Sequence, residues 1–320
     1  MDMYQKRKAR QEKKNNQTNE KTQNQMNINW YPGHMAKTKK QIQEDLKLID
    51  VVIEILDARI PLSSQNPDIA EWTKNKKKII ILNKADLADE KQNEKWVEYY
   101  EKQGIVAILT DSNSGKGVPE TIRQIEKIMQ EDKEAFSNKG RVGRSMRVMI
   151  VGIPNVGKSS FINRITKKSS TAVGNRPGVT KQKQWVRVKE NIELLDTPGI
   201  LWPKLEPQEV AFHLAFTGTI KDDNLEKTEI AYFLLKYLLE NKRESIIDRY
   251  GISNEIIEEK LSNEDQMENE NILEILYEIG KKRGAIVSGG RVDEEKVSNI
   301  LIEDFRSGKL GRITLEVSNK

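Results

Sequence analysis

The chain has 320 residues, enough for more than one domain, a net charge of +5 and no cysteine. Disulfide scaffolds and thiolate metal centres are therefore excluded. No apolar run approaches the ~18 residues of a membrane helix, and the N-terminus lacks the apolar core of a signal peptide, so a cytoplasmic protein with no membrane partner is expected. The basic balance, with an isoelectric point of about 9.0, favours polyanionic partners such as RNA.

In chain order, residues 1–28 are Gln-, Asn-, Lys- and Glu-rich, with Lys6, Arg7, Lys8, Arg10, Lys13 and Lys14 clustered. Such a segment buries too little apolar surface to offset its ordering entropy, so it reads as a disordered basic arm. Trp30-Tyr31-Pro32-Gly33-His34-Met35 breaks the polarity, and residues 35–49 read as an amphipathic helix. Five apolar runs then suit buried parallel strands: Val51–Leu56, Ile79–Leu82, Ile105–Leu109, Arg147–Val151 and Ile192–Leu195. Trp185–Val188 alternates and suits a strand nearer the edge. Helical patterns lie between most strands, over Glu90–Gln103 and Val118–Gln130 for example. The alternation predicts an α/β layered domain over residues 29–206. Residues 131–145 are charged and rich in Gly and Ser, and suit a joint between former termini. Beyond residue 206 the strand signal fades. Helical patterns at Ile230–Leu239, Ile272–Ile279 and Val297–Phe305 predict a smaller, mostly α-helical domain over 207–320. Ile313–Val317 reads as a terminal strand or an extended tail.

Three motifs follow predicted strands directly. Gly152-Ile153-Pro154-Asn155-Val156-Gly157-Lys158-Ser159 fits G-x-x-x-x-G-K-[ST], a loop that wraps nucleotide phosphates. Asn83-Lys84-Ala85-Asp86 fits N-K-x-D, which reads guanine in GTPases. Asp196-Thr197-Pro198-Gly199 fits D-x-x-G, which senses a γ-phosphate. In Ras-like proteins the order is P-loop, D-x-x-G, N-K-x-D. Here N-K-x-D comes first, which predicts a circularly permuted Ras-like P-loop GTPase domain. Ligand sites in open parallel sheets lie beyond the carboxyl ends of the strands, so these loops can converge on one nucleotide.

Each position has a physical task. Gly152 and Gly157 admit close backbone approach. The amides through Asn155, Val156 and Ser160 face phosphate at a helix N-terminus. Lys158 is expected on the β- and γ-phosphates, and the Ser159 hydroxyl on Mg²⁺. Asp196 is expected to hold Mg²⁺ through a water, and the Gly199 amide to meet the γ-phosphate. The Asp86 carboxylate can accept from guanine N1–H and the 2-amino group, neither of which adenine offers. Asn83 and Lys84 are expected to brace the base, with Ser112 supporting it through its backbone. Thr180 is the candidate for completing the Mg²⁺ shell, with Thr171 the alternative. Ile200 stands where Ras-like enzymes carry a water-orienting Gln, so hydrolysis is slow or another group takes the role. On its own, His34, in a Gly-flanked turn, reads either as a surface histidine or as a mobile side chain within reach of the site.

The permuted order, together with Trp30–Lys37, Asp57-Ala58-Arg59-Ile60-Pro61, Gly152–Ser159 and Asp196–Pro203, resembles the YlqF/RbgA family of circularly permuted, ribosome-associated GTPases. The resemblance runs from about Trp30 to near the C-terminus. It implies a GTPase acting in late assembly of the large ribosomal subunit, stimulated by the particle and bound to rRNA and the precursor. It maps a catalytic histidine to His34 and a K⁺-assisting Asn to Asn155. It implies a helical RNA-binding C-terminal domain, with Lys281, Lys282, Arg283, Arg291, Arg306 and Arg312 as candidate phosphate contacts. DNA is not an expected partner, and a monomer is expected off the ribosome.

Overall fold

The computed structural model describes residues 34–131, 145–167, 185–220, 226–262 and 268–318. The basic arm, most of the Gly/Ser-rich joint, Thr171 and Thr180 lie outside these residues.

Six strands form one sheet in the order β3-β2-β1-β4-β6-β5. They are β1 (Val51–Asp57), β2 (Lys77–Asn83), β3 (Val106–Thr110), β4 (Met146–Val151), β5 (Trp185–Lys189) and β6 (Ile192–Asp196). All neighbours are parallel except β5, which runs antiparallel to β6 at the edge. The near-continuous Val/Ile/Leu runs follow from burial on both faces, and every residue of β1 is buried. The register sets Asp57 opposite Asn83 and Asn83 opposite Thr110, so three strand tips form one row. The P-loop strand β4 is central, with the D-x-x-G strand β6 on one side. The N-K-x-D strand β2 lies on the other side, beyond β1. This is the Ras-like spatial arrangement with the chain cut elsewhere, as a circular permutation requires.

Helices α1 (His34–Leu46), α2 (Pro67–Trp72) and α3 (Glu90–Glu101) are followed by α4 (Val118–Glu131) and α5 (Lys158–Lys167). Sequence dictates several starts. Asn66 caps α2 through the Asp68 N–H with Pro67 at the first turn, and Asp89 caps α3 through the Gln92 N–H; each such cap is worth about 1 kcal/mol. On one face of the sheet, Ile42, Leu46 and Ile49 pack with Val52, Met149, Leu195 and Ile200. Beside them, Trp96 and Tyr100 pack with Leu56, Ile80 and Leu82.

The chain then continues as α6 (Gln208–Phe216), α7 (Lys227–Asn241), α8 (Arg243–Tyr250), α9 (Asn254–Leu261), α10 (Glu268–Lys282) and α11 (Glu294–Arg306). Gly251 ends α8 with a φ of 64°, the left-handed cap that glycine favours. The second face of the sheet and these helices share one core, running from Val51, Ile53 and Ile150 through Leu201, Trp202 and Leu205 to Leu235 and Leu301. Trp202 is 9% exposed within that core. Residues 310–318 form neither strand nor helix. They run back over the sheet layer as an extended tail.

Candidate functional site

The glycines of the P-loop are explained by what stands beside them. A Cβ on Gly157 (φ 99°) would lie 2.3 Å from Asn83 Nδ2. A Cβ on Gly199 would lie 2.7 Å from Lys158 Nζ and 2.8 Å from Pro154 N. The P-loop is thus in steric contact with both the N-K-A-D loop and the D-T-P-G loop.

Asn83 joins these parts. Its Nδ2 donates to Val156 O at 2.7 Å, inside the P-loop. Its Oδ1 accepts from Thr110 Oγ1 at 3.0 Å, Ser112 N–H at 3.1 Å and Ser112 Oγ at 2.7 Å. One buried amide therefore fastens loops from three separate parts of the chain. The Ser112 amide, expected to face the base, is engaged by Asn83.

Lys84 adopts a φ of 60°, which turns its side chain onto Asp57 Oδ2 at 2.9 Å. Asp57 is fully buried and is also gripped by Arg59, with Nε at 3.0 Å from Oδ1 and Nη2 at 2.8 Å from Oδ2. Burial opposes ionisation of Asp57, but Arg59 and Lys84 outweigh it and hold the carboxyl well below the usual range. The string Asp57-Ala58-Arg59 gave no role from the residues alone. Its task is to anchor Lys84, and with it the loop carrying Asp86. Asp86 has its carboxyl pushed up, by partial burial first and by the charge of Asp111 second.

At the other end, Lys158 is 8% exposed and donates to Gly152 O at 3.0 Å and Ile153 O at 2.7 Å. Burial brings its ammonium down to about 8, opposed by Asp196. Burial pushes the Asp196 carboxyl up, opposed by Lys158. The pair makes a site suited to a polyanion accompanied by a cation. The Ser159 hydroxyl and Asp196 carboxylate are hard oxygen donors that fit Mg²⁺, whose remaining ligands are ordinarily water and phosphate oxygens. Asn155, at a φ of 59°, donates through Nδ2 to Gly218 O at 2.7 Å. Its Oδ1 remains an oxygen donor suited to K⁺.

Ile200 is 1% exposed and packs against Ile42 and Leu46 of α1. Its carbonyl accepts from Asn66 Nδ2 at 2.9 Å. It is a wedge that ties the D-T-P-G loop to α1, and it offers nothing to a water molecule. His34 is the first residue of α1, so the helix locked to the D-T-P-G loop is the one His34 opens.

Three of the candidate phosphate contacts donate to backbone carbonyls; Arg283 does so to Arg249 O at 2.7 Å and lies 5.1 Å from the centre of the Tyr250 ring. Arg306 donates to Phe216 O at 3.1 Å and Ala215 O at 2.9 Å, and Arg312 to Ala88 O at 2.7 Å and Ala85 O at 3.1 Å. Both close backbone carbonyls between distant segments; Arg306 is largely covered and is withdrawn as a phosphate contact, while Arg312 stays exposed with its guanidinium engaged. Lys281, Lys282, Arg283 and Arg291 are exposed around the end of α10. Among the described residues no helix is long and apolar enough to cross a membrane.

A permuted Ras-like sheet with its P-loop, D-x-x-G and N-K-x-D loops on one edge defines a GTPase. Residues 147–275 match the model of the 50S ribosome-binding GTPase family, and residues 69–206 that of the RsgA GTPase family. Ribosome biogenesis GTPase A of Bacillus cereus is 43% identical over 91% of this chain and 94% of its own. Among solved structures, a GDP-bound YlqF has a TM-score of 0.60 at 27% identity, covering 88% of this chain and all of that one. A GNP-bound YlqF from Thermotoga maritima has a TM-score of 0.59 at 28% identity, covering 88% and 98%. The chain belongs to the ribosome biogenesis GTPase A family.

Proposed function

We propose that this protein binds GTP in the presence of Mg²⁺ and acts in late assembly of the large ribosomal subunit, hydrolysis timing its release from the precursor particle. The observation that carries this reading is the Asn83 junction, which locks the N-K-A-D loop to the P-loop and so gives base and phosphates one composite site. Asp86 accepts the two guanine donors, while Asn83, Ser112 and Lys84 hold its loop in place. Gly152, Asn155, Val156, Gly157, Lys158, Ser159, Ser160 and Gly199 surround the phosphates. Mg²⁺, held by Ser159, Thr180 and Asp196, and K⁺, assisted by Asn155, supply positive charge to the phosphates when bound.

Catalysis falls to His34. Ile200 is buried and apolar, so the attacking water is oriented by a group from another segment, and α1 is tied to the D-T-P-G loop. Hydrolysis is stimulated by the particle. Residues 199–206 carry the change to the helical domain, since Leu201, Trp202 and Leu205 lie in the core shared with it. The exposed Lys281, Lys282, Arg283 and Arg291 meet rRNA phosphates, the protein works in the cytoplasm, and off the ribosome it is monomeric.

The expected result is co-sedimentation with large-subunit precursors in a non-hydrolysable GTP analogue, and loss of it in GDP. With GTP, wild type leaves the particle, whereas His34→Ala binds GTP normally and stays. Normal release of His34→Ala removes His34 from the mechanism. Co-sedimentation with small subunits instead redirects the assignment, to an organellar or small-subunit assembly role among others. The buried Ile200 favours one rival, a nucleotide-gated rRNA-binding scaffold with little hydrolysis. That rival predicts that wild type and His34→Ala both remain bound with GTP.

A further inference from the structure

After α11 the chain returns to the loops beside the base-reading motif. Ile313 N–H donates to Leu87 O at 3.0 Å and Leu315 N–H to Arg59 O at 2.8 Å. Asp89 N–H donates to Thr314 Oγ1 at 3.0 Å. The Glu316 carboxylate accepts from Leu62 N–H at 2.6 Å and Ser63 N–H at 2.8 Å, while Trp96 Nε1 donates to Glu316 O at 3.2 Å. Ile313, Thr314 and Leu315 are buried in this position. The tail is therefore a fitted part of the GTPase layer, built from the far end of the chain.

Within it, Arg312 has a particular geometry. Nε reaches Ala88 O at 2.7 Å, Nη2 reaches Ala85 O at 3.1 Å, and Nη1 is 3.4 Å from Glu90 Oε2. The two carbonyls bracket Asp86, and Ala85 lies 227 residues earlier in the sequence. The same loop is fixed from the other side by Asn93 Nδ2, which also donates to Ala85 O, at 3.0 Å. A planar guanidinium holds two acceptors in a rigid fork, whereas a lysine ammonium on a flexible stem fixes their relative placement less well.

We propose that Arg312 is a positioning residue for base recognition: its grip on Ala85 and Ala88 holds the loop that presents Asp86 to guanine. This rests on the guanine reading of Asp86 above. Its consequence is that the base site is complete only when the C-terminal tail is docked. The guanidinium charge acts in the same sense, since Arg312, together with Arg59, favours the ionised Asp86 against burial and Asp111.

The test uses the full chain carrying Arg312→Ala or Arg312→Lys. Displacement of a fluorescent GDP by GDP and by inosine diphosphate, which lacks the 2-amino donor, gives both affinities. Arg312→Ala is expected to weaken GDP by about tenfold, the scale of one lost charge-assisted hydrogen bond, and inosine diphosphate by less, so that the preference for guanine shrinks. Arg312→Lys recovers less than half of the loss. Unchanged GDP affinity overturns the proposal, and so does an equal loss for both nucleotides, the signature of a merely structural role. Asp86→Asn is measured in parallel. If it fails to favour xanthine nucleotides, the guanine reading falls and this proposal with it. If it does favour them while Arg312→Ala keeps the wild-type preference, only the role of Arg312 falls.

Discussion

Asp86→Asn is expected to exchange guanine for xanthine nucleotides, with GTP affinity falling on the order of 10³-fold, as the bond to N1–H loses its charged acceptor and the 2-amino group meets an amide donor. A carboxylate only accepts. Guanine offers N1–H and a 2-amino group as two donors, whereas xanthine carries a 2-oxo group that needs a donor in return. The amide of Asn supplies that donor. The surroundings make the effect large, because the Asp86 loop has little freedom to adjust. Lys84 is anchored on Asp57, Asn83 is held by Val156, Thr110 and Ser112, and the Asn93 amide holds Ala85 O. Direct titration with GDP and xanthosine diphosphate checks it. An unchanged preference for GDP contradicts the assignment.

Asp57→Ala is expected to destabilise the fold by about 3–5 kcal/mol, the cost of leaving a buried charge without its partner. Arg59 is 2% exposed and is held by two bonds to Asp57. Its guanidinium also lies 5.6 Å from the centre of the Phe305 ring in α11. Removing Asp57 therefore strands a cation between the sheet and the helical region, and releases Lys84. The pH dependence has a definite sign. The folded carboxyl is held below its unfolded value of ~3.9, so its contribution is complete above that value. It is lost as pH falls through the lower, folded value. Urea melts of wild type and Asp57→Ala at neutral pH and in acid check both statements. A neutral-pH loss under about 1 kcal/mol places the anchoring elsewhere.

What could be read in advance follows from how local each signal is. The strands were legible because parallel strands buried on both faces need continuous β-branched runs, and those of β1 and β2 have no other use. Helices α7, α10 and α11 carry an apolar stripe at helical spacing. By contrast, α6, with Val210, Ala211, Phe212, Leu214, Ala215 and Phe216 in nine residues, is apolar almost all round and shows no stripe. Helices α2, α8 and α9 are too short for a periodicity to stand out. The motif residues were legible because phosphate and guanine recognition fix residue type at fixed spacing.

The supports of those motifs were not. The Asp57–Lys84 pair, the Asn66–Ile200 bond and the Arg312 grip each join segments with no local pattern to connect them. The six candidate phosphate contacts show the same limit. As residue types they look alike, yet Arg283, Arg306 and Arg312 donate to backbone carbonyls and Lys281 pairs with Glu278, while Lys282 and Arg291 are exposed. Ile200 is the converse case. Its inability to orient water was evident from its chemistry, but its work as a wedge against α1 appears only once the sheet is assembled.

The central claim is that loops from four strand tips, reordered along the chain, meet around one guanine nucleotide. A crystal structure of the protein with Mg²⁺ and GDP tests it most directly. The account predicts a single nucleotide whose base lies on the Asp86 carboxylate and whose β-phosphate lies on the Lys158 ammonium. Asp86 and Lys158 facing separate cavities, too far apart to contact the same nucleotide, would contradict it.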